Sequence, residues 1–306
     1  MRPELFAGFP SYLTMVMVGF LVATLLAKRS AVRAGLPGER IVDLALLMLV
    51  LGVLGARLLA VTTDGKLADF VHLCSEPRAV EAPDAAVQFC QEDAQCGFDY
   101  RCDLEARAEV AAGRRTTMCY PPRDCLAALK FWQGGLTFYG ALLFAIPGAV
   151  WYCRRKRLDV LQVGDLVAPW LLVGQAIGRI GCFLEGCCYG AVTGGPLGVH
   201  FPGHSLARHP TQLYESAADL ILAGLLAFFL RPRTRGRGEL LGWMLALYGA
   251  ARAVIELWRD DPRGSVGPLS TSQLLAIPAM ALGVWLIVRA RRGTGNRPAA
   301  PLRSAG

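Results

Sequence analysis

The sequence alternates long apolar runs with polar segments. Each run is long enough, with few or no charges, for a helix to cross roughly 30 Å of hydrocarbon. The pattern therefore predicts a polytopic, all-α membrane protein with seven transmembrane helices. The predicted spans are 10–27, 42–62, 134–152, 160–182, 212–230, 239–258 and 271–288.

Basic residues between the spans predict their orientation. The stretches 28–40, 153–159, 231–238 and 289–306 are rich in Lys and Arg and alternate with stretches that are poor in both. Because cytoplasmic loops carry the excess of basic residues, all four are expected in the cytoplasm. The N-terminus is then outside and the C-terminus inside, where the tail 289–306 is expected to contact anionic lipid headgroups. The first run lacks a basic leader and a cleavage site, which predicts a retained span and not a signal peptide.

Composition agrees with a membrane protein. Of the 306 residues, 54% are hydrophobic and 18% are charged, whereas about 25% are charged in a typical soluble domain. The net charge of +8 would fit nucleic-acid binding, but about half of the 32 Lys and Arg residues lie in the four basic stretches. The charge is therefore a topology signal, and no nucleic-acid partner is expected.

A polar segment between the second and third spans, residues 63–133, divides the chain. Its six cysteines are Cys74, Cys90, Cys96, Cys102, Cys119 and Cys125. Because so polar a segment has little apolar material for a core, we expect three disulfides in an oxidising compartment, in any of 15 pairings. A zinc site is the alternative. The predicted organisation is two helices in 1–62, the cysteine-rich insert in 63–133, five helices in 134–288 and the tail.

Ionisable residues inside the spans are candidates for chemistry, because a charge at the centre of a membrane helix costs at least about 2.5–3.5 kcal/mol. They are Asp43, Arg57, Asp165, Arg179, Glu215, Asp219, Arg252 and Glu256. Asp43 and Asp165 lie near the predicted cytoplasmic ends, where we expect structural roles at helix termini.

The arginines fall in the outward half of the spans or at their outer edge. They are Arg57, Arg179, Arg252 and Arg259. Gathered inside a bundle, they would bind an anionic headgroup, since guanidinium offers phosphate a planar fork of donors. The alternative is a structural salt bridge between Arg252 and Glu256, which are one helical turn apart.

Motifs along the chain suggest a known family. In order they are Tyr12 before "MVMVGF", "GARL" at 55–58, "GGLTFYG" at 134–140, "GRIGCFLEGCCYG" at 178–190, "RHPTQLYES" at 208–216 and "RAVIELWR" at 252–259. With these motifs the chain resembles the prolipoprotein diacylglyceryl transferases, seven-span enzymes of the bacterial inner membrane. The resemblance covers nearly the whole chain outside the insert.

The resemblance implies a reaction in lipoprotein biosynthesis. The diacylglyceryl group of phosphatidylglycerol would pass to the thiol of the lipobox cysteine in a prolipoprotein signal peptide, and glycerol-1-phosphate would leave. It implies no metal or other cofactor. The active site would face the outer leaflet, with membrane lipids as partners.

The resemblance also implies roles for individual residues. Arg179 and Arg252 would bind the phosphate, with Arg252 polarising the leaving group and Glu256 orienting Arg252. Tyr12 and Glu215 would line the headgroup site, to which the arginine argument adds Arg57 and Arg259. His209 is a candidate for proton transfer, with a structural role as the alternative.

Several positions depart from the family's pattern. Tyr139 stands where the family has a histidine, and Ala141 where it has a glycine. A neutral phenol is a poor proton acceptor at neutral pH, although it can donate a hydrogen bond to phosphate. Cys182 and Glu185 replace two asparagines, and "CC" at 187–188 replaces Glu-Leu.

The departures leave alternatives open. For Cys182, Cys187 and Cys188 these are packing residues, a disulfide near the outer face, a metal site with Glu185, or a covalent thiol role. For the whole chain, the alternative function is binding of anionic phospholipid or another thiol-linked reaction, without prolipoprotein transfer. A transporter or channel is a third possibility.

Overall fold

The computed structural model describes residues 4–6, 9–63, 67–80, 89–96, 100–114, 117–130, 137–259, 265–266 and 269–293. Within these ranges the chain is mostly helical, as predicted. The α-helices are α1 Ser11–Arg33, α2 Gly38–Thr63, α3 Leu67–Ser75, α4 Arg107–Ala111, α5 Phe138–Arg155, α6 Val160–Glu185, α7 Thr211–Gly224, α8 Glu239–Ile255 and α9 Thr271–Gly293. A π-helix, Leu225–Leu230, and a 3-10 turn, Arg231–Arg233, extend α7, and the 3-10 turn Glu256–Trp258 extends α8. Further 3-10 turns are Pro77–Ala79, Asp93–Gln95, Leu104–Ala106 and Ala127–Leu129.

Small antiparallel sheets of two strands each add to the predicted helices. Their strands are β1 Glu4–Phe6 with β2 Phe9–Pro10, β3 Arg101–Cys102 with β4 Cys119–Tyr120, and β5 Ser265–Val266 with β6 Leu269–Ser270. In the second sheet Cys102 lies opposite Cys119. These strands are too short to change the helical class.

Six stretches in the described part are long and apolar enough to cross a membrane. They are α1, α2, α6, α7 with its extension, α8 with its extension, and α9. Each overlaps a predicted span. The remaining prediction, 134–152, falls on α5, which has 18 residues and ends in Arg154 and Arg155, while residues 134–136 lie outside the described ranges. The seventh span stays a prediction.

The first basic stretch is mostly helical and is not the loop that its charges predicted. Helix α1 continues to Arg33 and α2 begins at Gly38, so only residues 34–37 of the stretch 28–40 are outside helices. Lys and Arg have high helix propensity. Their long side chains also allow a charged head to reach water from a helix that leaves the hydrocarbon. The basic stretch therefore did not mark the end of the helix, which continues to Arg33.

The chain forms two compact units, residues 1–43 with 153–306, and residues 44–152. In the first unit, glycines bring helix backbones together. A Cβ atom on Gly19 of α1 would lie 2.6 Å from the carbonyl oxygen of Gly174 in α6, and one on Gly242 of α8 would lie 2.7 Å from that of Gly283 in α9. In lipid, helices associate through such close packing, because the tails are as apolar as the side chains.

Carboxylates tie helix ends together in the same unit. Asp165 of α6 accepts hydrogen bonds from the backbone N–H groups of Gly238 (2.6 Å) and Leu241 (2.8 Å), at the start of α8. The first N–H groups of a helix have no partner within it, so this carboxylate caps α8. The predicted structural role of Asp165 is confirmed.

In the second unit, α2 and α5 cross at Gly55 and Gly140, where neither position has room for a Cβ atom. The hydroxyl of Thr137 donates to the carbonyl of Ala56 at 3.1 Å, beside this crossing. The "GARL" motif therefore packs against the beginning of α5.

The insert contains three disulfides, as predicted. They join Cys74 to Cys125, Cys90 to Cys102, and Cys96 to Cys119. Met118 and Val110 are buried beside the last two bonds, so the small core contains both sulfur and aliphatic side chains. Because all six sulfurs are in disulfides, none remains as a thiolate ligand for the alternative zinc site. The predicted division at 63 and 134 stays a prediction, and residues 294–306 of the tail lie outside the described ranges.

Replacing both Cys74 and Cys125 by serine is expected to loosen the insert. Their bond closes a loop with a sequence separation of 51 residues, worth about 4 kcal/mol in the chain-entropy estimate. Limited proteolysis of the protein in detergent should cut the insert of this variant several-fold faster. A Cys153→Ser control, which removes a free thiol, should be cut at the wild-type rate. Equal cleavage of all three proteins would contradict a stabilising bond.

Candidate active site

A single carboxylate, Glu215 of α7, is the centre of the buried ionic cluster in the first unit. Its side chain is 3% exposed and forms ion pairs with three arginines. Arg179 of α6 contacts one carboxylate oxygen, and Arg252 of α8 contacts the other. Arg259, whose side chain is 2% exposed, contacts that second oxygen at 3.1 Å. We call these residues, with Glu256, the arginine cluster.

Helix direction explains why these side chains meet. Arg179 lies near the end of α6, Glu215 one turn after the start of α7, and Arg252 in the last turn of α8. Successive packed helices run in opposite directions, so the end of one lies beside the start of the next. All three positions thus fall at one end of the bundle.

Arg252 has further partners. Its guanidinium pairs with Glu256 at 3.0 Å and donates to the Ser272 hydroxyl at 3.1 Å. The predicted i, i+4 salt bridge is therefore present, and it is part of a larger cluster. These ion pairs bring three guanidinium groups together with two carboxylates.

A further carboxylate, Asp219, lies one helical turn beyond Glu215 on α7 and is 2% exposed. Its Oδ2 atom has no hydrogen-bond partner among the described residues. Nearby on α6, Gln175 donates to the hydroxyl of Tyr248 at 2.6 Å. Buried polar side chains therefore continue along α7 beyond the arginine cluster, towards the other end of the helix.

The loop after α6 is held by glycine turns and main-chain hydrogen bonds, which the sequence analysis did not predict. Gly186 ends α6 with φ at 82°, and its N–H donates to the carbonyls of Cys182 and Phe183. Gly190 has no space for a Cβ atom, which would lie 2.8 Å from Thr211 and 2.9 Å from the His209 side chain. The N–H of Ala191 donates to the carbonyl of Trp258 at 2.8 Å, which ties this loop to the segment that carries Arg259.

Two residues of the "RHPTQLYES" motif anchor the same loop and were missed as functional positions. The Thr211 hydroxyl donates to the carbonyl of Cys188 at 2.9 Å, and the Gln212 amide donates to that of Cys187 at 2.5 Å. Both residues are fully buried. The only available signal was a run of polar side chains at the entrance to an apolar span.

The other predicted residues of this unit lie around the loop. Tyr12, near the start of α1, is 46% exposed, and a Cβ atom on Gly181 would lie 3.3 Å from its Cα atom. Glu185 accepts a hydrogen bond from the Ser11 hydroxyl at 3.2 Å. The ring of His209 contacts the hydroxyl of Tyr214 at 3.1 Å, and its backbone pairs with the loop.

Two predicted site residues, Arg57 and Tyr139, belong to the second unit. The Arg57 guanidinium donates to the carbonyls of Ala127 (2.6 Å) and Ala128 (2.8 Å) and lies 5.2 Å from the centre of the Phe70 ring. Tyr139, in the first turn of α5, is 41% exposed. Their roles in substrate binding and catalysis stay predictions.

The fold and the cluster define a helical membrane protein with buried ion pairs at one end of its bundle. The chain belongs to the prolipoprotein diacylglyceryl transferase family, whose model matches residues 7–77 and 108–289. This confirms the family predicted from the sequence. The unmatched residues between these ranges lie inside the insert and include Cys90, Cys96 and Cys102.

Similar proteins agree over most of the chain. One from Clostridium tetani, named phosphatidylglycerol–prolipoprotein diacylglyceryl transferase, is 29% identical over 94% of this chain and 96% of its own length. A second transferase of that name from Clostridium perfringens is 28% identical over 94% of each chain. One from Idiomarina loihiensis is 38% identical over 52% of this chain and 62% of its own.

Replacing Glu215 by glutamine should destabilise the protein strongly. Removing one partner of a buried ion pair typically costs about 3–5 kcal/mol, because the remaining charge stays buried and unpaired. We expect a lower thermal unfolding midpoint in detergent. The control is Glu39→Gln, since Glu39 is 80% exposed in its pair with Lys28 and such pairs contribute about 0–1 kcal/mol. Similar midpoints for both variants would refute the central role of Glu215.

Proposed function

We propose that this chain transfers the diacylglyceryl group of phosphatidylglycerol to the lipobox cysteine thiol of prolipoproteins. The family match over most of the chain and the names of its relatives support this activity. The arginine cluster is the observation that carries it, because the reaction expels a phosphate anion.

The reaction determines what the site must supply. The thiol sulfur forms a bond to the glyceryl carbon, and the bond between that carbon and the phosphate oxygen breaks. The phosphate monoester that leaves takes up the thiol proton, and nothing is oxidised or reduced. Fixed cations beside the departing oxygen stabilise the charge that develops on it.

The arginine cluster suits this task because its donors are held before the lipid arrives. Glu215 holds each of the three guanidinium groups in place, and a planar guanidinium is suited to bind phosphate through several donors. Arg179 and Arg252 are assigned to the phosphate, with Arg259 beside them. Glu256 positions Arg252 through the 3.0 Å ion pair.

Roles are also proposed for four further residues. Tyr12 and His209 flank the loop that follows α6, and we assign them to the lipid headgroup. Arg57 and Tyr139 are assigned from their motifs, Arg57 to lipid binding and Tyr139 to the catalytic step in place of a histidine.

We further propose a multi-pass protein of the bacterial inner membrane, with α5 as the seventh span. The N-terminus is outside, the C-terminus is in the cytoplasm, and the arginine cluster faces the outer leaflet. The basic residues at the ends of α1, α5 and α9 support this orientation. The three disulfides support an outer location for the insert, since such bonds persist in oxidising compartments.

Fusion of alkaline phosphatase, which is active only outside the cytoplasm, tests this topology. Fusions after residues 80 and 192 should be active, and fusions after residues 35, 156 and 235 should be inactive. Equal phosphatase activity of the fusions after residues 80 and 156 would show that α5 does not cross the membrane.

Complementation of a bacterial strain depleted of its own transferase tests the activity. Wild type should restore growth and lipoprotein modification, and Arg179→Ala should not. Loss of one preorganised donor typically lowers turnover about 10²–10³-fold. The matched control is Arg237→Ala, because Arg237 is 67% exposed in its pair with Asp159.

Rescue by Arg179→Ala at equal protein level would refute the phosphate role of Arg179. Failure of the wild type, despite normal insertion and binding of phosphatidylglycerol, would favour the alternative of lipid binding without transfer. The presence of Tyr139 motivates that alternative, so Tyr139→Phe belongs in the same assay. Loss of rescue with this variant would assign the phenol hydroxyl to the reaction.

A further inference from the structure

The loop after α6 brings together three cysteine thiols that are not in disulfides, which we call the thiol trio. The Sγ atoms of Cys182, Cys187 and Cys188 all lie within 4.8 Å of one another. Cys182 is buried, whereas Cys187 and Cys188 are half-buried. In contrast to the six cysteines of the insert, none of the three is in a disulfide.

The backbone fixes the positions of these thiols. The left-handed turn at Gly186 reverses the chain after Cys182. Cys188 itself has a φ of 65°, a backbone conformation that residues other than glycine rarely adopt. Thr211 and Gln212 then hold the carbonyls of Cys188 and Cys187 through the hydrogen bonds described above. Each sulfur is therefore presented by a constrained backbone, as a ligand site requires.

The arrangement fits zinc. Zinc–sulfur bonds of about 2.3 Å in a tetrahedron place sulfurs about 3.8 Å apart, a spacing compatible with the thiol trio. Catalytic zinc sites have three protein ligands and an open fourth position, whereas structural sites have four. In the described part of the chain, no imidazole or carboxylate joins this group.

We propose that Cys182, Cys187 and Cys188 hold a zinc ion whose fourth position takes the acceptor thiol as a thiolate. This inference rests on the proposed function. Zinc deprotonates a thiol that binds to it, and a thiolate is the nucleophile in thiol alkylation. The half-buried faces of Cys187 and Cys188 give access to the open position.

The steps balance without an oxidant. The trio releases its protons when zinc binds, and the acceptor releases its proton when it coordinates. The acceptor sulfur then attacks the glyceryl carbon, the carbon–oxygen bond breaks, and the phosphate monoester takes up one proton. The neutral thioether leaves zinc, because it is a weaker ligand than a thiolate.

The trio is close to the proposed phosphate site. Arg179 precedes Cys182 by three residues on α6, so both side chains lie on one helix face. A zinc-bound thiolate and the phosphate-binding guanidinium would therefore meet the same lipid headgroup. A covalent relay through the trio does not serve the reaction, since a thioether on the enzyme would not pass its alkyl group to a second thiol.

Metal titration of the full-length protein in detergent tests the site. Zinc should bind at one equivalent, and Cys187→Ser should weaken binding at least tenfold. Cys153→Ser, which removes a free thiol outside the group, should bind as wild type does. The cobalt(II) form should show sulfur-to-cobalt charge-transfer absorption. A lipobox peptide with its cysteine should alter the cobalt d–d bands, and the same peptide with serine should not.

The inference would be overturned if the protein bound no stoichiometric zinc. It would also be overturned if a disulfide within the trio were found after the thiols of the intact protein had been blocked by alkylation. Zinc binding that Cys187→Ser leaves unchanged would overturn it too, as would cobalt bands that do not respond to the cysteine peptide. If zinc-free protein still transfers diacylglyceryl at the full rate, the inference fails and the proposed function stands. If the peptide coordinates cobalt but no transfer occurs with zinc, the proposed function fails and the metal site stands.

Discussion

The ion pairs of Glu215 with three arginines constrain the whole first unit. A carboxylate that is 3% exposed inside an apolar bundle is tolerated only with cations around it, because desolvation of the unpaired ion costs several kcal/mol. The cations come from α6, α8 and the segment after α8. These elements must therefore end at a common depth. The same requirement gives the bundle one end where charge is concentrated and fixed, which is also what a reaction that expels phosphate needs.

The close backbone contacts serve this arrangement. Glycines at the α1–α6 and α8–α9 contacts let the backbones touch, which fixes the helices rotationally as well as laterally. At the charged end, Gly186 and Gly190 allow the chain to turn and to lie against the segment that carries Arg259. The glycine contacts and the ion pairs thus position the same helices, at different levels along the bundle. A rotation of α6 would separate Arg179 from Glu215 and would also bring side chains against the backbone of α1.

Prediction from sequence succeeded where a single physical scale decides. Hydrocarbon thickness sets helix length, so apolar runs located six helices, and membrane depth identified Arg179, Arg252 and Arg259 as neighbours. It failed at helix ends, because Lys28, Arg29 and Arg33 of α1 continue the helix beyond the apolar run. The common partner Glu215 and the anchors Thr211 and Gln212 depend on helix rotation and on a long loop that folds back, which periodicity does not reveal. The pairing of six cysteines likewise depends on tertiary contacts.

Four of the positions where the sequence departs from the expected family pattern share a structural property. At these four positions the path of the backbone does not depend on the side chains, which are Cys182, Glu185, Cys187 and Cys188. The path is set by Gly186 and Gly190 and by hydrogen bonds to the carbonyls of residues 187 and 188. Because those bonds involve main-chain oxygens, the side chains there can change while the loop stays in place. Chemistry at this end of α6 is therefore separable from folding. Thiols at Cys182, Cys187 and Cys188, where the family pattern has an asparagine, a glutamate and a leucine, change what the loop can bind, whereas the main-chain hydrogen bonds that hold the loop do not depend on those side chains.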